Sequence, residues 1–409
     1  MADYKTLKTI FHQHNEQIAR EILAKRRTSD TALCWDFPVR DEKLFVVVTP
    51  ELLALTEAIG KKEVQLTGLW SELSGGAQAH MLRHLLISEA SATNAIENIH
   101  STRQELDETL FHVEKKQAPA DRSFVKMLNY FYEVLKGELE LPKNPQELRE
   151  LYDSFFDGEI VPDDIPDGEL FRAASVTITD GIRESIHRGF EPQTAIISGV
   201  DTALSLMNAQ TGPTLLQSIM AHYMFEAAHP FYDGNGRLGR FLLIQGVSSE
   251  LSIFTAFALS TAINEEKSKY YKAFVDVQHK MNFGDGTPFL LTMYSLLLSA
   301  QEQLHEQLLV RINQLKTLSS KIKDLANSGV IANAKLRLYD LLYVLGQAEL
   351  FEWVSGEGQA AIAKTLDITQ QTLRKDLKHL EELELIKKVK SRPVTVKFTA
   401  PGRELLGLG

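Results

Sequence analysis

Twelve consecutive residues constrain this chain more than the rest of it together. Residues 229–240 read His-Pro-Phe-Tyr-Asp-Gly-Asn-Gly-Arg-Leu-Gly-Arg, which brings one imidazole, one carboxylate, glycines that free the backbone and two guanidinium groups into one stretch. At average residue frequencies, eight specified positions would recur by chance in a chain this long with a probability on the order of 10⁻⁸. The spacing therefore needs a physical explanation.

The flanking residues supply one. Residues 214–228 carry Leu215, Leu216, Ile219, Met220, Tyr223 and Met224 at the three-and-four spacing of a helix with a buried face. Pro230 ends that helix, because the residue before a proline is pushed out of the α region, and His229 is left at its C-terminal end. A second helix is predicted from near Gly236 through Arg237, Arg240 and Phe241-Leu242-Leu243-Ile244. The loop between, with Gly234, Asn235 and Gly236, can present successive backbone N–H groups at a helix N-terminus, where a phosphate binds readily. Arg237 and Arg240 stand three apart and should point from one face toward the same anion. Asp233 is the only carboxylate of the loop and the candidate ligand for a Mg²⁺ ion carried by a nucleotide. His229 is the candidate general base, since imidazole titrates near neutral pH. A histidine meeting the last carbonyls of a helix, two solvated arginines and an ordinary glycine turn are each commonplace, but together they leave the spacing unexplained.

At every specified position the segment resembles the signature His-Pro-Phe-x-Asp/Glu-Gly-Asn-Gly-Arg-x-x-Arg of the Fic family of nucleotidyl transferases. The resemblance extends diffusely over residues 85–300 and implies transfer of AMP from ATP to a Ser, Thr or Tyr hydroxyl of a target protein, and to the chain itself. It implies that His229 is the base, that Phe231 packs under the loop and that Asp233 binds Mg²⁺. Gly234, Asn235 and Gly236 would form the anion hole, with Arg237 and Arg240 on the triphosphate tail; ATP and Mg²⁺ are the implied cofactors.

Gly168-Glu169-Leu170-Phe171-Arg172 leads into β-branched residues 175–179, a break at Asp180-Gly181 and a return over residues 186–192, the pattern of a hairpin. In Fic proteins a flap here registers the target peptide by strand pairing. Tyr270-Tyr271 and residues 284–289 look like further parts of a Fic core. Aromatics on a helix are more often core than pocket, and Tyr271 is the one carried as a nucleotide contact. Upstream, residues 88–98 form a helix-compatible stretch with Thr93 and Glu97 on one face. Thr93, Glu97 and Asn98 resemble the inhibitory motif Ser/Thr-x-x-x-Glu-Gly/Asn, which implies that Glu97 reaches Arg240 and restrains the enzyme.

With 409 residues, 44% hydrophobic and 24% charged, two or three globular domains are expected. No stretch approaches a membrane span and residues 1–10 lack a signal-peptide core, so no membrane partner is expected. Cys34 is the only cysteine, and a reducing cytoplasm is the default. The expected fold is mainly α: an N-terminal helical region (1–65), a Fic domain with a small β-hairpin flap (66–326, inhibitory helix near 85–98) and a C-terminal winged helix-turn-helix (330–409). In the first, residues 4–25 read as helix and 44–48 as a strand. A long helix over 287–326, with Leu304, Leu308, Ile312, Leu315 and Leu318 on one side, ends at Asn327-Ser328-Gly329.

Beyond it, helices at 359–366 and 370–383 flank a turn, and strands at 386–390 and 394–398 flank Ser391-Arg392-Pro393. From residue 330 onward there are twelve Lys/Arg against ten Asp/Glu, in a chain of 44 against 54. Arg374, Lys375, Lys378, Lys387, Lys388, Lys390 and Arg392 could meet the phosphates of DNA, although such modules also bind proteins; for the chain as a whole a homodimer is a further candidate assembly. Two functions of different class follow. One is an ATP-dependent protein adenylyltransferase, with removal of AMP or transfer of another phosphate-linked group as variants; the other is a DNA-binding regulator whose Fic domain senses nucleotide. Intact His229, Asp233, Arg237 and Arg240 favour the enzyme, because a sensor needs no base.

Overall fold

Side-chain caps set where helices begin. Thr6, Asn15, Thr49 and Ser74 each accept a bond from the amide three residues on, and they open α1 (Leu7–Gln13), α2 (Glu16–Arg27), α3 (Pro50–Glu72) and α4 (Gly75–Ile96). The structure, a computed structural model, describes residues 4–117, 124–178, 187–328, 336–351, 359–391 and 394–408. Asn15 corrects the expectation of one helix over 4–25: its cap starts a new helix, and the chain breaks at His14. The expected strand is β2 (Glu42–Val47), and it pairs antiparallel with β1 (Ala32–Val39). That partner escaped the sequence because Asp36 and Pro38 interrupt its alternation, and the ladder is irregular between Cys34 and Pro38.

The middle of the chain gives α5 (Arg103–Glu114), α6 (Val125–Lys136), α7 (Pro145–Phe155), the antiparallel pair β3 (Thr177–Ile178) and β4 (His187–Arg188), α8 (Gln193–Met207), α9 (Thr214–Ala228) and α10 (Asn235–Ser248). The expected hairpin turn at Asp180-Gly181 lies outside the described residues. Helix α9 is central, packed by α8 on one side and α10 on another. Twelve of its fifteen residues are buried, Ser218 and His222 among them. A helix enclosed on nearly every side is apolar on nearly every side, so the periodicity showed only part of its buried surface. Short helices α11 (Ile253–Ala256) and α12 (Leu259–Glu265) and then α13 (Lys267–Gln278) lead to α14 (Thr287–Ser328). Its 42 residues run about 63 Å, with the expected leucine side buried and α3 packed along it.

The C-terminal elements are α15 (Leu336–Leu350), α16 (Gln359–Thr365), α17 (Gln370–Glu382), β5 (Ile386–Ser391) paired with β6 (Val394–Phe398), and α18 (Ala400–Leu406). The expected order of helix, turn, helix and hairpin is present. The two flanking helices α15 and α18 were not anticipated. Leu338, Leu373 and Phe398 belong to the same apolar cluster as Leu318 of α14. Arg337 grips Asp376 with bonds of 2.6 and 2.9 Å, and Gln347 donates to Ser74 Oγ at the start of α4 at 3.2 Å. Among the described residues, no helix is long and apolar enough to cross a membrane.

Candidate active site

The loop after α9 is shaped by its own side chains. His229 caps α9 in the left-handed region at φ 49°, and Gly234 at φ 83° opens α10, which begins at Asn235. Asn235 folds back across the turn: Nδ2 donates to the Phe231 carbonyl at 2.9 Å, and Oδ1 accepts from the Phe231 amide at 3.0 Å. That side chain is committed to the loop, so the backbone amide is what Asn235 can offer an anion. Phe231 is fully buried and stacks on Tyr152 of α7, ring centres 3.6 Å apart and planes within 8°. A Cβ at Gly234 would stand 2.8 Å from the Phe156 ring, so only glycine lets the loop lie this close to α7.

His229 Nδ1 lies 3.3 Å from the Glu226 carbonyl, one turn earlier. A carbonyl only accepts, so that nitrogen carries the proton and the lone pair sits on Nε2. This is the tautomer a general base needs.

The two arginines part company. Arg237 Nη1 meets Glu159 Oε2 at 3.1 Å and Nη2 lies 3.6 Å from Asp233, with the guanidinium 4.6 Å from the Phe156 ring centre. Arg240 is 1% exposed; its Nε donates to Thr93 Oγ1 at 2.8 Å, and its Nη2 reaches the Thr93 carbonyl at 3.0 Å and Glu97 Oε1 at 2.9 Å. Three-residue spacing suggested one shared anion. Instead the turn after α7 and the end of α4 each supply a carboxylate, and the long side chains diverge to reach them. Glu97 closes α4, followed by Asn98 at φ 58°. Lys267 Nζ donates to Asn98 Oδ1 at 3.1 Å, and Tyr271 Oη donates to the Ile96 carbonyl at 3.3 Å, which places Tyr271 against this helix end.

Arg240 stands among buried titratable groups. His222 Nδ1 donates to the Gly239 carbonyl at 3.1 Å, so Nε2 accepts from Tyr270 Oη at 2.8 Å. Burial, then the Arg240 charge, push His222 down to about 3. Burial pushes Glu226 up to about 8 against the pull of Arg240. Glu89 of α4, fully buried with Oε2 accepting from the Ser260 amide at 3.0 Å, is likewise pushed up to about 8. Both carboxyls are thus largely neutral at pH 7. Glu97 is left as the anion that compensates Arg240; burial opposes that cation, Glu97 leads the groups that support it, and the net displacement of Arg240 is upward.

Asp233 is 54% exposed beside the loop. Among the described residues no group of three or more His, Cys, Asp or Glu could hold a metal by itself. Mg²⁺ bound together with phosphates takes only one or two protein carboxylates, and Asp233 fits that share. The sequence missed Glu159, Glu226, Tyr152 and Arg172, whose roles depend on contacts far along the chain. Asp167 was missed as well: Tyr232 Oη donates to it at 2.7 Å, clasping the loop to the lead-in of β3.

Residues 142–245 match the Fic/DOC family. A Fic family protein from Desulfovibrio desulfuricans G20 shares 18% identity, with 87% of this chain and 97% of that one covered and a TM-score of 0.51. A Fic domain containing signaling protein from Bacteroides thetaiotaomicron VPI-5482 shares 16%, over 60% of this chain and 96% of its own, with a TM-score of 0.39. A fragment of Fic-1 from C. elegans shares 16%, over 73% and 79%, with a TM-score of 0.41. Residues 142–245, which include the whole loop, thus match the Fic/DOC family, and along most of the chain the helical fold is similar to that of the Desulfovibrio protein.

Proposed function

We propose that this protein transfers AMP from ATP to a hydroxyl of a target protein, and to itself, and that Glu97 holds it in a restrained state. Fic domain proteins generally transfer a nucleoside monophosphate to proteins. His229 Nε2 takes the proton of the incoming hydroxyl as its oxygen bonds to the α-phosphorus and the bond to pyrophosphate breaks. Backbone amides of Gly234, Asn235 and Gly236 receive the growing charge. Mg²⁺, with Asp233 as protein ligand, would neutralise phosphate charge when bound. Arg237 and Arg240 orient the triphosphate, and Tyr271 joins the nucleotide pocket on its place beside the end of α4.

The contact between Arg240 and Glu97 is the observation that carries the regulatory part. Thr93 holds the arginine and Asn98 anchors the helix end, so the carboxylate stays aimed. An occupied Arg240 cannot orient the terminal phosphate, and a nucleotide can bind without its α-phosphate standing in line for attack. With labelled ATP and Mg²⁺, the wild type should label itself weakly and Glu97→Gly strongly. Equal labelling, in a preparation shown to bind ATP, would defeat the regulatory reading. Failure of Glu97→Gly to release AMP from an already labelled protein that the wild type strips would favour Glu97 as a catalytic group in AMP removal, and silence of both proteins would favour a nucleotide sensor.

A second reading concerns the C-terminal elements. Helix α17 turns Leu373, Asp376, Leu377 and Leu380 inward and leaves Gln370, Gln371, Arg374, Lys375 and Lys378 exposed. Lys387 sits directly opposite Lys397 across β5 and β6, both exposed. Like charges so placed are destabilising, and an anion between them removes the penalty. We read this winged-helix order of elements as a DNA contact, in a protein of the reducing cytoplasm. The side chain of Lys390 and all of Arg392 lie outside the described residues.

A further inference from the structure

We infer that Arg172 is a positioning residue that sets the direction of His229 and of the β3–β4 pair together. The inference rests on the transferase reading for its catalytic consequence. Arg172 is 0% exposed, and among the described residues it pairs with no carboxylate. Its whole guanidinium is spent on main-chain carbonyls. Nε donates to His229 at 2.7 Å, Nη1 to Ala174 at 2.6 Å, and Nη2 to Phe190 at 2.9 Å and Ala228 at 3.4 Å.

Those four carbonyls belong to three segments. Ala174 leads into β3, Phe190 follows β4, and Ala228 with His229 ends α9. The last pair are orphan carbonyls at the negative end of a helix dipole, which explains how a buried cation persists without an acid. Main-chain bonds run alongside: the Arg172 amide donates to the Pro230 carbonyl at 3.1 Å, and the Phe190 amide to Ala228 at 3.1 Å. His229 is held at φ 49°, a conformation uncommon for a residue with a side chain, and its carbonyl accepts from Arg172 Nε at 2.7 Å. Gly189 completes the arrangement: a Cβ there would stand 2.3 Å from Arg172 Nη2. A lysine would keep the charge but offers its donors from a single point, so it cannot span three segments as a planar fork does.

The test uses the full chain carrying Glu97→Gly, with Arg172→Lys and Gly189→Ala added singly and together. Four quantities are read: the self-labelling rate at saturating ATP, the ATP concentration for half that rate, the Kd for ATP by calorimetry, and amide exchange of residues 174–178 and 187–190. Arg172 touches neither the backbone of Gly234, Asn235 and Gly236 nor Arg237 or Arg240, to which the transferase reading assigns the nucleotide, so the Kd should stay within about twofold, whereas misdirection of the base should lower the maximal rate about 10²-fold. Gly189→Ala crowds the guanidinium and should act in the same direction. Added to Arg172→Lys it should cost little more, because the crowded group is gone. Exchange at the two segments should quicken while α10 is unchanged. An unchanged rate, a Kd that worsens in step with the rate, or a fully additive double variant would overturn the inference. Should the Glu97→Gly parent bind ATP yet transfer nothing, the transferase reading fails instead, and the exchange measurement still judges Arg172: no quickening means it positions nothing.

Discussion

Gly236 and Glu97 contend for one small volume: a Cβ on Gly236 would stand 2.1 Å from Glu97 Oε1 and 3.1 Å from Arg240 Nη1. The missing side chain that lets an anion approach the loop also gives the carboxylate its seat. Gly236→Ala should therefore unseat Glu97 from Arg240, and adding Glu97→Gly in that background should raise self-labelling by less than twofold. ATP affinity should fall at the same time, since the methyl intrudes on the phosphate loop. If Glu97→Gly stimulates the alanine variant as much as it does the native chain, the two residues do not compete in solution.

If His229 is the base, its loss separates binding from chemistry. His229→Ala leaves the backbone amides and both arginines in place, so ATP should bind nearly as before while transfer drops about 10²- to 10⁴-fold. Labelling by the variant at the native rate would remove His229 from the reaction.

Stability should fall between about pH 6.5 and 8. Glu89 keeps, when folded, a proton that the unfolded chain has released above about pH 4.3, so the folded form binds more protons and loses stability as pH rises toward 8. His222 works in the opposite sense, because the unfolded chain takes a proton that the buried ring refuses, but that effect is over by about pH 6.5. Glu89→Gln should remove up to about 1.4 kcal/mol per pH unit of the decline in this window. Denaturant unfolding of both proteins across it, with equal slopes, would show that Glu89 is ionised in the fold.

Phe231→Ala removes the ring stacked on Tyr152 and should destabilise the protein by about 3–5 kcal/mol. Calorimetric unfolding checks this. A loss below about 1 kcal/mol would mean that the loop is held by the Asn235 amide alone.

DNA affinity, if the C-terminal reading holds, should weaken steeply with added salt and further in Lys387→Glu with Lys397→Glu. Absence of a mobility shift with the full chain at low salt would point to an acidic protein face as the partner.

How much of this could be read beforehand follows how local each signal is. Helix α9, the turn at His229 and the start of α10 were legible because Pro230, Gly234 and the apolar spacing act within a few residues. Glu97 could be tied to Arg240 only through resemblance, since 143 positions separate them. Glu159 carried no local mark at all: it matters because the turn after α7 comes to lie beside Arg237. Arg172 sat in a stretch noticed merely as the approach to a hairpin, and its four acceptors become visible only once α9 and both strands are in place. The break at Asn15 was missed because a cap looks like any polar residue until the helix after it is seen.

Helix α14 has one more consequence. The exposed stripe of α17 is carried on helices that pack along the far end of α14, through Leu318 against Gly346 and Thr317 beside Gly407, while its near end lies under the core around α9. A flexible tether lets its cargo search a volume that grows with chain length; a shaft about 63 Å long does not. Whatever the stripe grips is presented at a set reach from His229. On the transferase reading, selection among hydroxyls can then arise from where a partner is held as much as from the sequence around the modified residue, and a change in the length of α14 would alter it without touching either end.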